Sequence, residues 1–212
     1  MTTPRRGLLF HFTHMANLSS IVTEGLYCDS DMTDSQQSVR EIGHRDIKAQ
    51  RRVRSVPLPP GGVVADYVPF YFAARSPMLY VISRGSVPTY TAGQEELVYL
   101  VTSVEAVSAH GVGFVFTDRN AALSYARYGN DPEVLDDCVD WDLMQARMWA
   151  DTPEEPDRKE RRMAEFLAHR HVPWALIIAV VAKNEQVAEQ AHTLLDSLGE
   201  TTPVRVKSGW YF

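Results

Sequence analysis

The longest uninterrupted aliphatic run in the chain is eight residues, Ala175 to Ala182. That falls well short of the ~20 residues a membrane-spanning helix needs, and it suits a core strand. Every other apolar run is shorter. A chain built this way folds from many short elements of both kinds. Leu8 to Thr13, Tyr67 to Ala73, Glu96 to Thr102, Gly113 to Thr117, Ala175 to Ala182 and Pro203 to Lys207 read as strands. Asn17 is placed to cap a short helix that stops at Gly25, and Ser76-Pro77 opens another running to about Ser83. Arg40 to Val53, Asn120 to Tyr128, Asp140 to Ala150 and Asn184 to Leu198 read as further helices. Arg162 to His169 is a core strand that could also be helical, and Tyr27 to Ser38 reads as a polar, mobile loop. No repeat or linker divides the sequence, so the expectation is an α+β fold in one domain, 1–212.

Cys28 and Cys138 are the only cysteines, far apart and in no ligand-like pattern, which fits a reducing compartment. The apolar stretch after Arg5 and Arg6 is broken by His11 and His14, unlike a secretion signal. A cytoplasmic protein with no membrane partner is expected. Neither a G-x-G-x-x-G nor a Walker loop occurs, which removes the familiar phosphate cradles. The pairs His11/His14 and His169/His171 lack the third and fourth ligands of a zinc site and read as structural histidines, so no metal is expected.

The net charge of −6 speaks against a broad nucleic-acid face, but the charge is unevenly distributed. Arg40, Arg45, Lys48, Arg51, Arg52 and Arg54 stand against only Glu41 and Asp46, whereas Asp131 to Glu160 carries eleven acids and three bases. The basic segment is either a confined polyanion site or a solvated helix face. Glu165 is equally ambiguous. It lies among Met163, Ala164, Phe166 and Leu167, where an ionised carboxylate is costly without a task or partner. Strand alternation also allows it to face solvent.

Five stretches resolve these ambiguities. They are Phe10-His11-Phe12-Thr13-His14 with Asn17-Leu18; Ile42-Gly43-His44 with Ile47-Lys48 and Arg51-Arg52; Asp66 to Phe72 with Arg75 to Tyr80; Phe114 to Asp118; and Ala164 to Leu167 with Pro173-Trp174. Together with the closing Trp210-Tyr211 they resemble the DarT family of DNA ADP-ribosyltransferase toxins almost end to end. The resemblance implies an ADP-ribosyltransferase-like split β-sheet around an NAD cleft, with flanking helices. It implies transfer of ADP-ribose from NAD to a base of single-stranded DNA, and a macrodomain antitoxin that removes it. Thymine is the expected base; guanine, RNA or protein is the alternative acceptor.

The resemblance also assigns residues. Glu165 is the catalytic carboxylate, stabilising the oxocarbenium-like ribose that forms when nicotinamide leaves. Arg51 acts on the target base. A guanidinium with a pKa above about 12 makes a poor proton acceptor, so its expected role is hydrogen-bond donation to the base as its proton departs. His11, Thr13 and Asn17 are expected to grip NAD, Tyr71 and Phe72 to wall the nicotinamide pocket, and Arg75 to meet pyrophosphate or DNA. Lys48, Arg52, Arg54, Met78, Arg119 and Asn120 are the expected DNA contacts, with Tyr67, Tyr80 and Arg84 as further candidates. Asn120 stands where some relatives carry histidine. The Asp151 to Lys159 loop is expected to help hold the acceptor.

Overall fold

The computed structural model describes residues 7–32, 40–43 and 45–212. His44 and part of the expected Tyr27–Ser38 loop lie outside the described residues. Eight strands form one sheet in the order β10-β9-β4-β1-β3-β7-β5-β6. In sequence they are β1 (Leu8–His14), β3 (Tyr67–Tyr71), β4 (Leu97–Ser103), β5 (Phe114–Thr117), β6 (Tyr128–Gly129), β7 (Glu165–His169), β9 (Ala179–Ala182) and β10 (Val204–Val206). β2 (Leu26–Tyr27) and β8 (His171–Val172) make a separate pair. All ladders are antiparallel except β9 with β10, which the helix α8 (Glu185–Ser197) connects in parallel.

Burial follows the sheet's period of two. In β4, Val98 and Leu100 pack on one face with Leu18 and Ile21 of α1 (Leu18–Glu24) and with Val187 and Leu195 of α8. Leu97, Tyr99 and Val101 pack on the other face with Phe10, Phe12, and Leu79 and Ile82 of α3 (Pro77–Ser83). A strand covered on both faces must be apolar throughout, which explains the Leu-Val-Tyr-Leu-Val run.

The sheet is split. β1 pairs β4 at seven positions and β3 pairs β7 at five, but β1 and β3 share only Phe10 opposite Tyr71. Pro69 supplies no N–H to extend that ladder. Instead the His11 ring, through Nδ1, bonds the Pro69 carbonyl at 2.8 Å across the gap.

Several expected helices shorten or vanish, each because a side chain or the site claims the backbone. Over Asn120 to Arg127 there is no helix, and Tyr128 begins β6: Asn120 Oδ1 accepts from Ala122 N, and Ala121 N is given to Glu165. The Asp140 to Ala150 helix stops at Gln145. Leu143 O, the acceptor Arg147 N would use, takes Arg162 Nη1 and a tight bond from Ala146 N instead. The Arg40 to Val53 helix starts only at Arg45, as α2 (Arg45–Val53), because the Arg40 backbone is clamped by Asn17. That clamp also corrects the expected cap. Asn17 precedes α1, but its side chain turns to Arg40 and Thr13 and makes no cap bond. Of Ala175 to Ala182 only Ala179–Ala182 is strand; Trp174–Leu176 is a 3-10 turn whose Leu176 carbonyl accepts from Thr102 Oγ1. Arg162 to His169 resolves into strand from Glu165 onward.

Candidate active site

Glu165 is the first residue of β7, paired in register with Tyr71 beside the split. It is 3% exposed, so the solvent-face reading fails. Leu167, two residues on, shares its face and packs with Val64, Tyr67 and Val115. The carboxylate therefore sits on an apolar floor and needs partners. Arg51 Nη1 donates to both its oxygens, at 2.8 and 3.1 Å, and Ala121 N donates to Oε2 at 2.9 Å. The Glu165 N–H in turn donates to Thr117 Oγ1 at 3.3 Å.

Each partner is itself fixed. Ala121 is held from its other side by Tyr128, whose hydroxyl donates to the Ala121 carbonyl at 2.8 Å. Burial and the Glu165 charge push the Tyr128 phenol up to about 12, so it stays a donor. Tyr71 is raised further, by burial and then by Glu165. Asp118, 5% exposed, gathers Arg127 N, Arg127 Nε and Arg119 Nη2, fixing the loop that presents Ala121.

Arg51 arrives from outside the sheet, in the last turn of α2, and α2 buries no residue completely. Charge anchors this helix instead. Asp29 binds Lys48 at 2.6 Å and Arg52 at 2.8 and 2.9 Å, Glu41 binds Lys48, and Arg54 Nε donates to Ala122 O at 3.2 Å. Burial works against the Asp29 charge, but Lys48 and Arg52 outweigh it and hold its carboxyl below the usual range. The basic segment is thus a self-neutralised clamp that aims Arg51 at Glu165.

The expected cofactor residues divide between places. His11 and Tyr71 lie at the split, and Phe12 stacks on Tyr71 with ring centroids 6.0 Å apart. Burial lowers the His11 pKa despite its Pro69 bond. Thr13 accepts from Asn17 at 3.0 Å, and Asn17 is fully engaged in holding Arg40. Phe72 is buried against Trp141 and Phe166. Arg75 has left the split and lies over the Phe212 ring, 4.5 Å from its centroid. Among the expected DNA contacts, Arg119 is bound to Glu160 and Asp118, Asn120 caps a turn through Oδ1, and Met78 packs partly buried beside α3's apolar core. Sequence reasoning missed Thr117, Ala121, Tyr128 and Asp29. Only Thr117 lay in a stretch with a signal, next to Asp118.

A buried carboxylate held by a guanidinium at the break of a split sheet matches the arrangement expected of an ADP-ribosyltransferase. The chain belongs to the DarT family, whose model, described as ssDNA thymidine ADP-ribosyltransferase, matches residues 10–212. It is 40% identical over 213 residues to a DNA ADP-ribosyl transferase of Thermus sp. (strain 2.9), covering 100% of this chain and 99% of that one. Two solved structures of the Thermus sp. 2.9 DarT are similar along the whole chain. The complex with ADP-ribosylated ssDNA has a TM-score of 0.90 at 39% identity, covering 100% of this chain and 99% of that one. The complex with NAD+ has a TM-score of 0.87 at 39% identity, covering 100% of both. A Thermosipho africanus protein described as a transferase–glycohydrolase fusion is 24% identical over 186 residues, 87% of this chain and 45% of its own length. The protein is an NAD-dependent DNA ADP-ribosyltransferase. Among the described residues, no helix is long and apolar enough to cross a membrane.

Proposed function

We propose that Glu165 and Arg51 are the catalytic groups with which this enzyme moves ADP-ribose from NAD to thymine in single-stranded DNA. The observation that carries the reading is the buried Glu165 carboxylate, held by Arg51 and by the Ala121 N–H. The nicotinamide–ribose bond breaks with its electron pair going to nicotinamide, which leaves neutral. The ribose carbon gains cationic character, which a carboxylate in an apolar, fixed setting stabilises well. The thymine imide nitrogen then bonds that carbon and gives up its proton. Arg51 donates to the base while Glu165 or a water accepts the proton.

In this reading His11 and Tyr71, which lie at the split, contact the cofactor, with Thr13 beside them. Asn17 positions that wall by tying Thr13 to Arg40. The chain acts as a single transferase domain in the cytoplasm. The Thermosipho fusion supports a partner that removes the modification, a macrodomain antitoxin. Incubating the protein with NAD and defined oligonucleotides, then weighing the products, tests the reading. One ADP-ribose should be added to thymine-containing single strands and not to strands lacking thymine. Modification of guanine, RNA or protein alone would refute it.

A further inference from the structure

A cavity of about 580 Å³ has neither Glu165 nor Arg51 in its walls. Its walls include Phe72, Arg75, Trp141, Arg147, Arg162 and Trp210. Arg162 is 4% exposed, and its guanidinium meets only the carbonyls of Leu143 and Ala74, leaving Nε without a partner. Arg75 Nε is likewise buried and unpartnered. Neither arginine has a carboxylate within ion-pair distance among the described residues, in contrast to Arg51, Lys48, Arg119, Arg158 and Arg161. Burial lowers the Arg162 pKa to about 10, with Arg75 nearby adding to the effect. Arginine stays protonated in practice, so the shift records a cost of holding charge here without an anion.

An aromatic cluster adjoins the cavity through Arg75, which lines it and lies on the Phe212 ring: Tyr80, Trp149 and Phe212 meet edge to face with centroids 5.2 to 6.4 Å apart. Tyr80 is 45% exposed. Unpaired guanidinium groups beside flat, accessible rings match what a single strand presents, phosphates and stackable bases. The cavity begins at Phe72, the residue after Tyr71, which faces Glu165 across the ladder.

We propose that this cavity seats a nucleotide of the acceptor strand flanking the target thymine, its phosphate on Arg75 and Arg162 and a base on the Tyr80–Trp149–Phe212 platform. The proposal rests on the DNA-transferase reading above and relocates the phosphate contacts from Lys48 and Arg52, which are already paired. The test uses the full chain and a fluorescently labelled thymine-containing oligonucleotide. Trp149→Ala should weaken its binding about tenfold, and Trp149→Phe should restore most of it. Arg75→Gln should flatten the slope of log affinity against log salt by about 0.7, as for one lost single-strand phosphate contact, a change that misfolding would not mimic. The KM for NAD should stay unchanged in all three. Unchanged oligonucleotide affinity and salt slope, or a rise in the KM for NAD alone, would overturn the proposal. If the wild-type protein modifies no DNA, the underlying reading fails instead.

Discussion

Replacing Arg51 by Met removes a guanidinium that holds both oxygens of Glu165, at 2.8 and 3.1 Å, between side chains 12% and 4% exposed. Removing one partner of a buried pair typically costs about 3–5 kcal/mol, chiefly because the other charge is left stranded. Ala121 N still serves Glu165. The lower end, about 3 kcal/mol, is therefore expected. Glu165→Gln strands the Arg51 charge but keeps an acceptor for Ala121, so about 2 kcal/mol is expected. In the double variant no charge is left without its partner, so its loss should fall below the sum of the single losses by about 2 kcal/mol. For a chain this long, about 1 kcal/mol corresponds to ~2–4 °C in Tm, so Arg51→Met should melt ~6–12 °C lower. Thermal and urea unfolding of the four proteins measures the coupling. If the single losses add to within about 0.5 kcal/mol, the pair does not exist in solution and the clamp described for α2 is wrong.

Other consequences follow from the same structure. Arg51→Lys should fold normally but lose most transferase activity, because an ammonium cannot hold Glu165 as Nη1 does and also offer the base a second, planar donor as the unpartnered Nη2 can; undiminished rates on thymine oligonucleotides would exclude a role for the guanidinium plane. Asp29→Asn should release Arg52, while Glu41 still holds Lys48, and make oligonucleotide binding more salt-dependent, so an unchanged slope would show that Arg52 does not reach the strand. Burial lowers the pKa of His11, of His14 with help from Arg40, and of His169 with help from Arg170. Each is held neutral in the fold, so the unfolded chain binds more protons below about pH 6.5. Stability should therefore be full above that pH and fall as pH drops through the lowered values, by at most about 1.4 kcal/mol per pH unit per histidine. Urea midpoints that fail to fall between pH 8 and pH 5 would contradict this. Gly25→Ala would force a side chain onto a φ of +83° with its Cβ against His171 Nε2 and 2.7 Å from the Val172 carbonyl oxygen, so a loss above about 2 kcal/mol is expected by urea unfolding.

Much of the fold was legible because its core strands carry their own signal. β3, β4, β5 and β10 lie within a residue or two of where alternation and turn formers place them, and α3 and α8 begin at their expected caps, Ser76 and Asn184. The failures lie where long-range contacts override local propensity. Nothing in the run after Asp140 announces that Arg162 will occupy the Leu143 carbonyl. Nothing near Asn120 announces that Glu165, 44 residues on, will take the Ala121 N–H. The site shows the same division. Glu165 and Arg51 were named by their motifs, and the structure brings them into contact. Lys48 and Arg52 looked like free phosphate contacts because their neutraliser, Asp29, lies in a distant loop. Arg162 closes the basic run Arg158-Lys159-Glu160-Arg161-Arg162, and nothing in that run announces that this one cation is buried while its neighbours pair with acids at the surface.

The central claim is that Glu165 drives both cleavage of NAD and delivery of ADP-ribose to thymine. Nicotinamide release and oligonucleotide mass, followed in one reaction for the wild-type protein and Glu165→Gln, test it directly. The wild type should release one nicotinamide for each ADP-ribose gained by a thymine-containing strand, and the variant should do neither above about a thousandth of that rate. A Glu165→Gln protein that modifies the strand at near wild-type rate would contradict the claim.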